Sequence, residues 1–215
     1  MSGCRLYIIS PPHIELKSFA ETLEETLSAG DVASFQLRLK SRDDKTISDD
    51  TILRACDTLI PITQKYNVAF LLNDRPDLVQ RSQADGCHIG QSDMNCKDAR
   101  KLLGADKIIG VTCHDSRHLA MVAGEDGADY VAFGAFFNTQ TKQASSKAEP
   151  DILSWWQEVT TLPCVAIGGI NTQNASSLIA AGADFLAVSQ GIWGHMKGST
   201  EAVVEFNKLF NDTNS

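Results

Sequence analysis

ASFQLRL (residues 33–39) followed by DDTILRACDTLIPITQKY (residues 49–66) is the stretch whose reading decides the fold. Successive side chains of a strand point to opposite faces, so Gln36, Arg38 and Lys40 share one face of the first segment while Leu37 and Leu39 share the other. Taken alone, this is what a half-exposed or edge strand with a decorated solvent face looks like. The second segment reads as a helix, with Ser48 or Asp49 placed to cap its first turn. The question is whether this strand-helix pair is isolated or one of a series.

It is one of eight. LYIIS (6–10) precedes IELKSFAETLEETLSA (14–29), VAFLLN (68–73) precedes PDLVQRSQ (76–83), and GCHIG (86–90) precedes CKDARKLLG (96–104), whose Gly104 suits a helix C-terminus. KIIGVTCH (107–114) leads to DSRHLAMVAGEDG (115–127), and DYVAFGA (129–135) leads through a long loop to PDILSWWQEV (150–159). CVAIGG (164–169) leads to NTQNASSLIAAG (171–182), and FLAVSQ (185–190) to STEAVVEFNKLF (199–210). Short apolar strands separated by helices indicate a parallel sheet covered by helices. Eight units predict a closed (β/α)8 TIM barrel in one domain spanning 1–215, although about 27 residues per unit is lean for that fold. The alternative is an open doubly wound sheet, which the lack of a GxGxxG after the first strand disfavours.

The totals set the class. The chain has 215 residues, of which 43% are hydrophobic and 21% charged, with a net charge of −8. That balance argues against binding nucleic acid through an overall field, so any cation that matters is local. The opening MSGCRLYIISPPHIE holds only LYII before Ser10, too short for a signal or membrane segment, and a cytoplasmic protein is expected. Six cysteines, Cys4, Cys56, Cys87, Cys96, Cys113 and Cys164, lack CxxC or zinc spacing and read as reduced packing thiols. A homo-oligomer remains open.

A barrel carries its chemistry at the C-terminal ends of its strands. There the chain places QLRLK, NDR (73–75), HIGQSD (88–93), GVTCH (110–114), FFNTQTK (136–142), GGIN (168–171) and VSQG (188–191). Arg38, Lys40 and Lys142 are three cations suited to a phosphate or pyrophosphate, with Thr139 and Thr141 as further donors. Asp74 and Asp93 are hard oxygen ligands on separate loops, of the kind Mg²⁺ takes while a substrate phosphate and water complete its shell; singly, each could instead cap the helix that follows it. Gly168-Gly169 and Ser189-Gln190-Gly191, at the last two strand-to-helix turns, suit a second phosphate held by backbone N–H groups. Two anion sites imply small phosphorylated substrates, and a metal-bound diphosphate beside a monophosphate suggests transfer of a carbon group with pyrophosphate leaving.

The ordered set QLRLK, NDR, DGCHIGQSD, GVTCH, ADYVAFG with TQTK, VAIGGI and AGAD resembles the thiamine phosphate synthase family over roughly residues 5–193. The resemblance implies that 4-amino-5-hydroxymethyl-2-methylpyrimidine diphosphate is joined to 4-methyl-5-(2-phosphoethyl)thiazole, giving thiamine phosphate and pyrophosphate. It further implies a dissociative course through a pyrimidine-stabilised cation, with Mg²⁺ as cofactor and no general base. Gln36, Arg38, Lys40, Asn73, Thr112 and Lys142 match the family's pyrimidine-diphosphate positions, and Asp74 and Asp93 its magnesium ligands. Thr139, Gln140, Thr141, Gly168, Gly169, Ser189 and Gln190 fall at its thiazole-phosphate positions. The chain departs from the pattern at Leu39, where an acid is common, at Thr112 and Gln190, where serine is usual, and at Asn138, where proline is usual. Two other activities fit the same scaffold: a thiazole tautomerase, with His114 as acid/base group, and a non-catalytic phosphate-ligand sensor.

Overall fold

Each short apolar run forms a strand hydrogen-bonded in parallel to its successor, and the last returns to the first, closing the order β1-β2-β3-β4-β5-β6-β7-β8 into a barrel. The structure, a computed structural model, describes residues 3–41, 46–138 and 147–213. The strands are β1 (Arg5–Ile9), β2 (Ser34–Leu37), β3 (Ala69–Asn73), β4 (Gly86–Ile89), β5 (Ile108–His114), β6 (Tyr130–Phe133), β7 (Cys164–Ile167) and β8 (Phe185–Val188). Between and after them run α1 (Leu16–Ser28), α2 (Asp49–Lys65), α3 (Pro76–Ser82), α4 (Cys96–Leu103), α5 (Arg117–Glu125), α6 (Asp151–Val159), α7 (Ser176–Ala180), α8 (Gln190–Trp193) and α9 (Ser199–Thr213). The expected (β/α)8 barrel is what forms, and the open sheet is excluded by the β1–β8 pairing of Arg5 with Phe185 through Ile8 with Val188.

Local chemistry explains the helix ends. Ser48 caps α2 by accepting the Thr51 N–H at 3.3 Å. Asn95 caps α4, accepting the Asp98 N–H at 2.9 Å, and Gly104 closes it with φ of 77°, a conformation natural to glycine. α7 is shorter than the sequence suggests, starting at Ser176, because Asn171 and Asn174 hold the preceding residues in a turn: the Asn171 N–H donates to the Asn174 side chain at 2.9 Å. β8 likewise ends at Val188, and Gln190 begins the extra short helix α8, which the sequence reading placed within the strand.

Closure divides the apolar residues into two cores. An outer one lies between strands and helices and includes Leu6, Ile8, Phe35, Leu37, Phe70, Leu72, Val131 and Phe133. An inner one fills the barrel with Tyr7, Ile9, Leu71, Tyr130, Ala132, Val165 and Ala187. The two sets alternate along each strand, as the pleat requires. All six cysteines are free and buried; burial pushes the thiols of Cys4, Cys56, Cys87, Cys113 and Cys164 up to about 12, as inert packing groups.

At the N-terminal rim a repeated device sets strand register. Asp85, Asp129 and Asp184, each just before an even-numbered strand, accept the backbone N–H of Phe70, Ile109 and Cys164 on the preceding odd strand at 2.7, 2.7 and 2.8 Å. Mid-barrel, Gly110 makes room for an aromatic ring: a Cβ there would sit 1.9 Å from the Tyr130 ring. Gly110→Ala is therefore expected to force Tyr130 from its place and destabilise the chain by about 1–3 kcal/mol. Urea denaturation checks this, and a change within about 0.5 kcal/mol of zero would contradict the packing described.

Candidate active site at the C-terminal rim

β2 is not a half-exposed strand. Its four residues are buried, Gln36 is only 2% exposed, and its side chain points into the barrel. Gln36 Nε2 donates to Asn73 Oδ1 at 2.7 Å, and the Asn73 side chain in turn hydrogen-bonds the Asp74 carboxyl. Arg38, two residues further along the same inward face, is half-buried; burial pulls its guanidinium below the ordinary value, and the facing Asp74 carboxylate offsets part of that. Leu37 and Leu39 pack into the outer core, so the family's acidic position, here Leu39, does not face the mouth. Lys40 is exposed at the rim, its chain direction fixed by its N–H bond to the Pro12 carbonyl at 2.8 Å.

Neither aspartate caps a helix. α3 opens on Arg75 without a side-chain cap, and α4 is capped by Asn95. Asp74 instead takes a left-handed backbone, φ 62°, held by its N–H bond to the His88 carbonyl at 2.8 Å. Asp93 folds back so that its Oδ2 accepts the Gly90 N–H at 2.7 Å. The two carboxyl groups are thereby brought within hydrogen-bonding reach of each other. Desolvation in the concave mouth and the charge of Asp93 push Asp74 up to about 6.

This donor set fits a divalent cation. Two carboxylates face each other with one neighbouring guanidinium, so the pair carries uncompensated negative charge that a hard cation would neutralise. Among the described residues no group of three or more His, Cys, Asp or Glu side chains could hold a metal. Two protein carboxylates are nonetheless what Mg²⁺ uses when water and a substrate phosphate complete its shell.

Beneath the mouth lies a polar layer that sequence reading missed. The Tyr7 hydroxyl donates to Gln36 Oε1 at 3.0 Å and meets the Tyr130 hydroxyl at 2.9 Å. Tyr130 meets His88 Nδ1 at 3.0 Å, and His88 Nε2 meets Thr112 Oγ1 at 2.7 Å. Tyr7, Tyr130 and His88 all lie on the inward register of their strands, the one signal that could have found them. Thr112, expected to touch the pyrimidine, also accepts the Gln91 side-chain N–H through its backbone carbonyl at 2.6 Å, which ties the Asp93 loop to β5.

The glycine turns behave as expected for close backbone approach. Gly168 and Gly169 have φ of 104° and 65°, and a Cβ on either would come within 2.4 Å of Ala135 or of the Asn138 carbonyl. The turn after β7 is thus packed on the start of the loop after β6. The Ser189 hydroxyl donates to the Ser10 carbonyl at 3.3 Å, while Ser10 Oγ accepts the Arg38 N–H at 2.9 Å, so the ends of β8, β1 and β2 are tied together. Gln190 is exposed and opens α8. His114 sits at a bulge of β5 with φ 54°, and its carbonyl accepts the Gly134 N–H at 3.0 Å. Thr139, Gln140, Thr141 and Lys142 lie outside the described residues.

A family model described as thiamine monophosphate synthase matches residues 6–192. A thiamine-phosphate synthase of Rhodospirillum centenum is 57% identical over 209 residues, spanning 97% of this chain and 99% of that protein. One of Hyphomonas neptunium is 53% identical, spanning 96% of this chain and 93% of its own. A solved thiamine phosphate pyrophosphorylase from Pyrococcus furiosus superposes with a TM-score of 0.83 at 29% identity, covering 98% and 97% of the two chains. The geranylgeranylglyceryl phosphate synthase of Thermoplasma acidophilum, at 15% identity and a TM-score of 0.72 over 98% of this chain and 94% of that one, shares the fold alone.

The facing carboxylates generate a stability prediction. A carboxyl whose folded value is raised favours the folded state at low pH and loses that contribution as pH climbs from its ordinary value, 3.8, through about 6. Asp93→Asn keeps an acceptor for the Gly90 N–H and removes the repulsion. In chelator-containing buffer it is expected to raise the melting temperature at pH 8 more than at pH 5. Equal shifts at both pH values, or a loss at pH 8, would show that the carboxylates do not oppose each other.

Proposed function

The chain belongs to the thiamine monophosphate synthase family, and from that premise we propose how its rim joins a pyrimidine diphosphate to a thiazole phosphate. The function is thiamine phosphate synthesis. The methylene carbon of 4-amino-5-hydroxymethyl-2-methylpyrimidine diphosphate parts from its ester oxygen, whose electron pair leaves with pyrophosphate. The ring nitrogen of 4-methyl-5-(2-phosphoethyl)thiazole then donates its lone pair to that carbon. No proton moves in either step, so the site needs anion stabilisation and exclusion of water rather than a base.

The observation that carries the assignment of roles is the carboxylate pair Asp74–Asp93 facing the Arg38 guanidinium over one barrel mouth. In this reading Arg38, Lys40 and Lys142 hold the diphosphate, Asn73 orients both Asp74 and Gln36, and Gln36 with Thr112 contacts the pyrimidine. Asp74 and Asp93 would hold Mg²⁺, which when bound neutralises charge on the departing pyrophosphate. Gly168, Gly169 and Ser189 receive the thiazole phosphate through backbone N–H groups, together with Thr139 to Thr141; Gln190, whose amide lies against Gly194, brings no hydroxyl to its position. Phosphorylated small substrates and six free thiols suit a cytoplasmic setting, and among the described residues no helix is long and apolar enough to cross a membrane.

Pyrophosphate release with both substrates and Mg²⁺ is the direct assay. Asp74→Ala is expected to lower turnover at least about a hundredfold, near 2.7 kcal/mol of barrier, and chelation of the metal to stop release. Near-wild-type rates in that variant would remove the metal role from Asp74. Lys142→Ala is expected to be impaired far more than Lys147→Ala, since Lys147 is an exposed residue paired with Glu149 at 3.0 Å. Equal losses would take Lys142 out of the site.

A further inference from the structure

Six side chains form one unbroken hydrogen-bonded chain across the barrel, and counting their protons fixes its direction. At one end Asn73 Oδ1 accepts from Gln36 Nε2, 2.7 Å away. That orients the Gln36 amide, whose Oε1 takes the single proton of Tyr7 at 3.0 Å. With that proton committed, the Tyr7 oxygen can only accept from Tyr130 at 2.9 Å, and the Tyr130 oxygen only from His88 Nδ1 at 3.0 Å. A neutral His88 protonated on Nδ1 has a bare Nε2, so the Thr112 hydroxyl gives its own proton inward at 2.7 Å. Tyr7, Tyr130 and His88 are 3%, 7% and 7% exposed, so water has little opportunity to reverse any link.

We infer that this buried chain is a positioning device for the synthase reaction: Tyr7, Tyr130 and His88 turn the Thr112 hydroxyl into a pure acceptor toward the mouth, so that Thr112 selects a pyrimidine bearing an exocyclic N–H donor. The inference rests on the pyrimidine being seated against Gln36 and Thr112 as proposed above. The 4-amino group supplies such a donor, and as the departing diphosphate leaves positive charge on the ring, that N–H becomes a stronger donor. The Thr112 lone pair therefore binds the cationic state better than the ground state. A 4-oxo pyrimidine would set oxygen against oxygen in a site with no proton to offer. Thr112 is a contact residue; His88, Tyr130 and Tyr7 act only through it and through Gln36.

Two measurements test this. In the full chain labelled with ¹⁵N-histidine at pH 8, the His88 ring, assigned by its loss in His88→Gln, is expected to show a proton on Nδ1 and none on Nε2. The opposite tautomer, or an imidazolium, overturns the inference whatever the enzyme's activity. In pyrophosphate-release assays, the wild type is expected to prefer the 4-amino over the 4-oxo pyrimidine diphosphate by at least about a hundredfold in kcat/KM. Tyr130→Phe keeps the ring beside Gly110 but cuts the chain, and is expected to bring that preference below about tenfold, with the loss in kcat rather than KM for the amino substrate. Thr112→Ser is expected to retain the preference and Thr112→Val to lose it. Full discrimination in Tyr130→Phe overturns the inference. Absence of pyrophosphate release from the wild type with its two natural substrates would instead sink the synthase reading, and the tautomer measurement separates the two failures.

Discussion

Closure of the sheet by the β1–β8 pairing is the constraint from which the rest follows. Once eight strands of four to seven residues share one ring, every second side chain must enter a space too narrow for water and too small for bulky groups on all strands at one level. Gly86 and Gly110 answer this directly: a Cβ on Gly86 would strike the Ile108 carbonyl at 1.9 Å, and one on Gly110 the Tyr130 ring at the same distance. Gly86 thus lets β4 lie close against β5, and Gly110 makes room for the Tyr130 ring, which bonds Tyr7 and His88. Those three residues form the floor of the mouth.

The two rims divide the work. At the N-terminal rim, Asp85, Asp129 and Asp184 spend their carboxylates on strand N–H groups, and Arg100 joins Asp129 with the Gly127, Gly104 and Lys107 carbonyls. Every such charge has a neutralising or donating partner. At the C-terminal rim, Asp74 and Asp93 face one another, and Asp74 and His114 adopt left-handed backbones. Left-handed non-glycine residues occur at both rims, Asn67 and Gln83 standing before β3 and β4, so the distinguishing feature of the C-terminal rim is the facing pair of like charges, which suits an external cation. The same residue type, aspartate at a strand end, is spent on strand N–H groups below and left facing another carboxylate above because its neighbours differ.

Periodicity carried the sequence reading a long way. Period-2 alternation in QLRLK assigned Gln36 and Arg38 to the inward face and Leu37 and Leu39 to the outward one, and counting units converted a decorated edge strand into a barrel stave. Position alone could not decide between capping and ligation for Asp74 and Asp93, because both roles need a carboxylate just before a helix; the caps fell to backbone geometry at Arg75 and to Asn95. Tyr7, His88 and Tyr130 escaped notice for a different reason. In LYII, GCHIG and DYVAF each is a single amphipathic residue amid apolar neighbours, and its meaning appears only when three non-adjacent strands bring the Tyr7 hydroxyl and the His88 imidazole each to within 3.0 Å of the Tyr130 hydroxyl.

The departures from the family pattern sort by the same geometry. Leu39 packs outward, so losing an acid there leaves the field of the mouth unchanged. Thr112 keeps the hydroxyl that serine would supply, and its added methyl restricts rotation about χ1. A threonine hydroxyl confined in this way holds its bond to His88 at less entropic cost than serine would. On the inference drawn above, the substitution would strengthen the orientation that the buried chain imposes. Gln190 stands on the exposed start of α8, just after β8, and on the reading proposed above the missing hydroxyl there would bear on the thiazole phosphate. On the reading proposed above, the pyrimidine ring would meet the buried, mutually fixed Gln36 and the bonded Thr112, whereas the thiazole phosphate would rely on turns and backbone. A rigid half that defines the cation and a looser half that admits the nucleophile suit a reaction whose first step is ionisation and whose second is capture.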